Sequence, residues 1–213
     1  MADVQLIRWA LVAVAALKVV DVVLRDDPAV LALGWLAAAV AGARAPRAGC
    51  LAIAAMGATS NLFLEASNHT TLVLWAGLLV AVLRPVDVPD VARLLVVVVY
   101  AFATANKLLF GHFLDGGYIA ARFFWEGAPF RLMAIGAVVG QLTLAVLVAL
   151  RLRLAIPLSV LLHVGIVVTM SSELAHVLRL GGFNGLMVVL VVVATRNGPW
   201  YPLPARPVAR PGV

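Results

Sequence analysis

The chain has 213 residues, of which 64% are hydrophobic and only 12% charged, and its mean hydropathy is +1.07. Soluble domains are roughly half apolar and about a quarter charged, so the composition argues against one and for an all-α, polytopic membrane helical bundle. The net charge of +6 sits in arginine pairs between apolar runs, which points away from nucleic acid, and Cys50, the single cysteine, allows no internal disulfide.

The first apolar stretch, at about 4–24, has no basic region before it and no small-residue cleavage site after Val23-Leu24-Arg25-Asp26-Asp27. It is expected to stay as a first helix rather than be removed as a signal peptide. Lys18 and Asp21, three residues apart on it, can form a structural ion pair on one face. Further segments are expected at about 29–43, 48–66, 70–84, 91–110, 131–150, 154–171 and 182–195, which makes about eight crossings of a hydrocarbon layer ~30 Å thick. The second and fourth are short for full spans and are expected to tilt, kink or lie partly in the interface. Pro28, Pro46, Pro85 and Pro89 fall between segments and Pro157 just inside one, where a missing N–H costs little.

Such a layout puts both termini on one side, together with Arg44, Arg47, Arg84, Arg93, Arg151, Arg153, Arg196, Arg206 and Arg210. The positive-inside rule then makes that side cytoplasmic in a plasma (inner) membrane. Residues 1–198 are expected to form one transmembrane domain, and the proline-rich stretch 199–213 an extended or disordered tail. The 111–130 connection is aromatic and too polar and short for another span, so it is expected to lie in the outer interface or re-enter the membrane.

Several polar residues stand inside or beside these runs. Lys107 lies near the end of the apolar run at about 91–110, and a cation at such a place marks a functional site or, as the alternative, snorkels to the interface. Asn106 beside it and the Gly111-His112 break suggest a helix end turned toward a polar pocket. His163 lies near mid-membrane in the seventh segment, either in a site or hydrogen-bonded to a neighbouring helix. Asn68-His69 occupies the turn before the fourth segment, close to Asn61 and Glu65, which either line a cavity or bridge helices. Glu173, His176, His69 and His112 include metal-ligand types, but no HExxH or similar spacing ties them together and no metal site is expected. There is no nucleophile elbow, phosphate loop or Ser/His/Asp arrangement.

Three local patterns resemble the transmembrane part of the vitamin K-dependent γ-glutamyl carboxylases and their bacterial relatives, the horizontally transferred transmembrane domain family. One is Asn68-His69-Thr-Thr-Leu-Val-Leu-Trp-Ala-Gly-Leu-Leu. Another is Tyr100 through Leu108 followed by Phe113-Leu114-Asp115-Gly116. The third is His163 with the later Leu180-Gly181-Gly182-Phe183 and Leu186-Met187. The resemblance implies Lys107 as the base that deprotonates a vitamin K hydroquinone or menaquinol-like lipid, with His69 as its catalytic partner. It implies Asn68, Asn106, His163, Phe113 and Tyr100 as cofactor-binding residues, and O2 and CO2 as further reactants in a lyase-type carboxylation of a glutamate in a secreted peptide. The carboxylases carry two adjacent lysines where this chain has Asn106-Lys107, and no substrate-recruiting extramembrane domain is expected after residue 199.

The resulting expectation is a carboxylase-like, quinol-linked integral-membrane enzyme of the bacterial inner membrane. Its site would face the extracytoplasmic side. One alternative is a non-enzymatic membrane partner for maturation of, or immunity to, a secreted peptide. A third reading is a proton-coupled transporter using Asp21, Glu65, Lys107 and His163, against which the absence of an internal repeat counts.

Overall fold

A computed structural model of the chain describes residues 1–25, 27–63, 68–109, 113–121, 129–170 and 174–201. Among these residues the fold is all-α, with nine helices and no strand: α1 Ala2–Leu24, α2 Ala29–Arg44, α3 Pro46–Phe63, α4 Asn68–Val82, α5 Val88–Leu109, α6 Gly117–Ala120, α7 Phe130–Ala149, α8 Ala155–Met170 and α9 Leu174–Thr195. The helices follow from long apolar runs punctuated by proline at their starts. Pro28 and Pro129 are N-caps, Pro46 opens α3, and Pro89 and Pro157 lie in the first turns of α5 and α8. At these positions the ring's fixed φ suits a helix and its lost N–H had no intrahelical partner.

Each expected apolar segment falls on one long helix, with one displaced boundary. The last helix begins at Leu174, a full two turns before the expected 182. Two helices, Val88–Leu109 and Phe130–Ala149, are long and apolar enough to cross a membrane. Ala29–Arg44, His69–Val82, Ala155–Val168 and Leu180–Thr195 are shorter apolar helical stretches.

Helices α1 and α9 form the centre of the bundle. Helix α1 packs on α2 and α9, and α9 in turn packs on α8 and α5. Ile7, Leu11, Val14 and Ala15 on α1, Trp35 and Ala38 on α2, and Leu186, Met187 and Leu190 on α9 supply much of the buried core. Their spacing of three and four residues keeps each set on one helix face. The outer faces are also apolar: Leu33, Leu94, Phe102, Leu132 and Leu161 are all more than 60% exposed.

Most of the ion pairs lie at one end of the bundle. At that end Arg196 pairs with Asp3 at 2.7 Å, Arg151 with Asp90 at 2.5 Å and Arg84 with Asp87 at 2.8 Å. There Arg8, itself buried, donates to the Gly42 and Ala43 carbonyls at 2.8 and 2.6 Å, which satisfies carbonyls at the C-terminus of α2. On α1 the expected Lys18–Asp21 pair forms at 3.0 Å, with Asp21 almost fully buried.

Between α5 and α7, residues 113–121 make a turn and a single helical turn, α6, packed on the start of α7. Gly116 is needed there: its φ of +86° is left-handed, and a side chain would meet the Phe130–Arg131 backbone at 2.7 Å. Asp115 Oδ1 accepts from the Gly117 N–H at 2.8 Å and fixes the turn. Glu65, His112, Arg122, Glu173 and nearly all of the proline-rich tail lie outside the described residues.

Candidate functional site

Helices α5, α7, α8 and α9 enclose a cavity of about 750 Å³. Its apolar walls come from Val99 and Ala103 on α5, Met133 and Ala137 on α7, Leu158, Leu162 and Ile166 on α8, and Leu180 and Met187 on α9. Phe113 and Ile119 of the α5–α7 connection cover part of it, and the exposed lining residues Tyr118, Gly136 and Leu161 mark where it opens to the exterior. A largely apolar cavity of roughly 300–1,000 Å³ with a few convergent polar groups is the usual form of a small-molecule site.

The polar lining falls in two groups. The first surrounds Lys107. Its side chain turns inward and Nζ donates to Gln141 Oε1 on α7 at 3.0 Å and to the Ala103 carbonyl at 3.4 Å. The Phe113 ring lies 5.3 Å from Nζ, within cation–π range. The ammonium is therefore engaged inside the bundle, and the snorkelling alternative does not describe it. His69, at the start of α4, lines the same cavity and packs its ring on Phe183 with centroids 4.7 Å apart.

The second group lies deeper, two turns back along α5. The buried Tyr100 hydroxyl is 2.7 Å from His163 Nε2 on α8 and 3.4 Å from Ser159 Oγ. His163 Nδ1 hydrogen-bonds Asn184 Oδ1 on α9, and Asn184 Nδ2 donates to the Leu180 carbonyl at 2.7 Å. The Leu180 carbonyl can only accept, so the Asn184 amide faces it with its NH2. Oδ1 then faces His163 and can only accept from an Nδ1–H, which leaves Nε2 of the neutral ring to accept from Tyr100.

The cavity thus brings together Lys107, His69, His163, Tyr100 and Phe113. It does not include Asn106, whose side chain is exposed: one residue along a helix turns a side chain by about 100°, so adjacency to Lys107 places Asn106 on another face. The Asn68 and His176 side chains are outside those described. Asn61 bridges helices, accepting from Thr70 Oγ1 and donating to Thr71 Oγ1 at 3.2 Å, and is not part of the cavity wall. The sequence reading missed Gln141 and Asn184, the two uncharged residues that hold Lys107 and His163. The available signal was an isolated amide in an otherwise apolar helix, since a buried amide needs a partner.

Comparison of the chain with family models, with curated proteins and with solved structures finds no match.

Proposed function

We propose that this chain is a polytopic inner-membrane protein whose cavity holds a quinol-type lipid ring, with Lys107 as the proton-accepting group. The membrane reading draws on the outward-facing apolar side chains of the long helices around α9, such as Phe102 on α5, Leu132 on α7 and Leu161 on α8. An apolar exterior of this extent is costly in water and suits lipid. Both termini are assigned to the cytoplasm because Arg44, Arg47, Arg84, Arg93, Arg151, Arg153 and Arg196 flank the helix ends on their side. The part of the cavity that opens beside Tyr118 then lies toward the outer side.

The observation that carries the reading is the Lys107 Nζ held by Gln141 inside an apolar cavity. The lining residues fit a hydroquinone. Their walls are aliphatic and aromatic, and their polar groups are confined to two places that can meet oxygens at opposite ends of a ring. Bound there, a hydroquinone supplies acidic hydroxyls and a redox couple. Lys107, as the free amine, takes a hydroxyl proton at Nζ, and Gln141 Oε1 and the Ala103 carbonyl orient Nζ for it. Phe113 and Ile119 shield that proton transfer from water. His69, on the same wall, is positioned to take part in the transfer or to hold the product charge. The resemblance to γ-glutamyl carboxylases makes a glutamate of a secreted peptide the leading acceptor class, with O2 and CO2 as co-reactants.

The test is mass spectrometry of lipids that co-purify with the protein in mild detergent. The wild type is expected to retain a quinol, detected as such or as the quinone it oxidises to, and Lys107→Met to lose it while unfolding at a similar temperature. Absence of any quinol or quinone from well-folded wild type, together with no binding of added menadiol under reducing conditions, sinks the proposal.

A further inference from the structure

We infer that Asn184, through His163, turns Tyr100 into a hydrogen-bond acceptor toward the cavity, so that the site selects the reduced, hydroxyl-bearing form of its ring over the oxidised form. This rests on the quinol reading above and adds a specificity that the reading does not require.

The hydrogen-bond chain has a direction. It is anchored at the Leu180 carbonyl, which cannot donate, and runs through Asn184 Nδ2 at 2.7 Å. Asn184 Oδ1 accepts from His163 Nδ1, so His163 Nε2 carries no hydrogen and takes the Tyr100 O–H at 2.7 Å. Ser159 Oγ, at 3.4 Å, is too distant to compete for that proton. With its single hydrogen committed, the Tyr100 oxygen has only lone pairs left, and Tyr100 lines the cavity. Reversing the chain requires turning the Asn184 amide so that two carbonyl oxygens face each other, a buried clash of acceptors.

Lys107 stands two turns along α5 from Tyr100, about 10 Å of helix rise. Its free amine takes one hydroxyl proton of a ring lying between the two groups, and the resulting ammonium donates to the oxygen that lost it. A hydroquinone can give one hydroxyl proton to Lys107 and donate its other hydroxyl to Tyr100. A quinone has only acceptor oxygens, so its second carbonyl faces the Tyr100 lone pairs without a hydrogen between them. Asn184 and His163 are positioning residues in this scheme, and Tyr100 touches the ring.

The experiment is anaerobic titration calorimetry of the detergent-solubilised protein with 1,4-naphthohydroquinone and with 1,4-naphthoquinone, corrected for partition into empty micelles. The wild type is expected to bind the hydroquinone at least tenfold more tightly. Tyr100→Phe and Asn184→Leu are expected to bring the ratio of the two affinities close to one, a change that general loosening of the fold does not produce. Should Asn184→Leu fail to fold, Tyr100→Phe, which removes only a hydroxyl, still decides the question. Equal wild-type affinities, or a ratio unmoved by Tyr100→Phe, overturn this inference and leave the quinol reading standing. Binding of neither probe overturns both.

Discussion

Tyr100 and His163 are joined by a 2.7 Å hydrogen bond between α5 and α8, two helices that otherwise make little direct contact. Around the cavity α5 packs on α7 and α9, while α8 packs on α9 and, more sparsely, on α7. The Tyr100–His163 bond therefore ties together two helices that face each other across this ring. Because both side chains are buried, the bond is shielded from competing water.

Removing the Tyr100 hydroxyl leaves His163 Nε2 without its donor in a buried setting. Tyr100→Phe is expected to cost about 1–3 kcal/mol, and Ser159→Ala, which touches only the 3.4 Å contact, less than about 0.5 kcal/mol. Thermal unfolding in a fixed detergent checks the order. Equal losses for the two variants count against a Tyr100–His163 bond that contributes more than the Ser159 contact.

Arg8 is a charged residue buried for a structural purpose. Its guanidinium reaches two carbonyls at the end of α2 and Gln5 Oε1 at 2.8 Å, using the fork geometry that an ammonium lacks. Arg8→Met is expected to cost about 1–3 kcal/mol, because the buried Gly42 carbonyl and the part-buried Ala43 carbonyl at the end of α2 lose their donor. Arg8→Lys keeps the charge but can serve only one of them well, and is expected to recover less than half of the loss. Full recovery by lysine would show that charge near the α2 terminus, rather than bidentate hydrogen bonding, is what matters.

The positions of the helices were legible because a long apolar run ended by proline or arginine has few other ways to satisfy its backbone. The start of α9 was not. His176, Arg179, Gly181 and Gly182 depress hydropathy around its first turns, but the helix continues through them because it packs there on α1. A Cβ built on Gly182 would sit 3.5 Å from Leu17 and 3.8 Å from Val14, ordinary contact distances that show how directly this part of α9 lies against α1. Lys107, His69 and His163 stood out as polar groups in apolar surroundings. Gln141 and Asn184 were hidden for lack of charge, and their partners are fixed by which helices meet, something spacing within one segment does not contain.

Glycine at the α2–α3 crossing is expected to be the least replaceable in the bundle's first half. A Cβ on Gly49 would lie 2.2 Å from the Gly42 nitrogen and 2.3 Å from the Ala41 carbonyl, all backbone atoms that cannot rotate away. Gly49→Ala should force α2 and α3 apart and cost about 1–3 kcal/mol or more. Gly185, on the exposed side of α9, has nothing within 4 Å of the corresponding position, so Gly185→Ala should stabilise by up to about 1 kcal/mol through helix propensity. Unfolding temperatures that move in the same direction for both variants contradict the difference in packing.

The Lys18–Asp21 pair offers a test of how a buried charge is held in this protein. Its 3.0 Å contact faces Leu178 and Gly182 of α9, with Asp21 only 3% exposed. Removing Lys18 takes a 3.0 Å charge-assisted hydrogen bond from the buried Asp21 carboxylate, so Lys18→Met is expected to cost about 1–3 kcal/mol. Replacing both with apolar residues of similar size removes the desolvation cost together with the attraction. The double variant Lys18→Met/Asp21→Leu is therefore expected to be more stable than Lys18→Met alone. Thermal unfolding of the two single variants and the double variant completes the cycle. A double variant less stable than either single one would mean that these side chains contribute through separate contacts rather than through their mutual attraction.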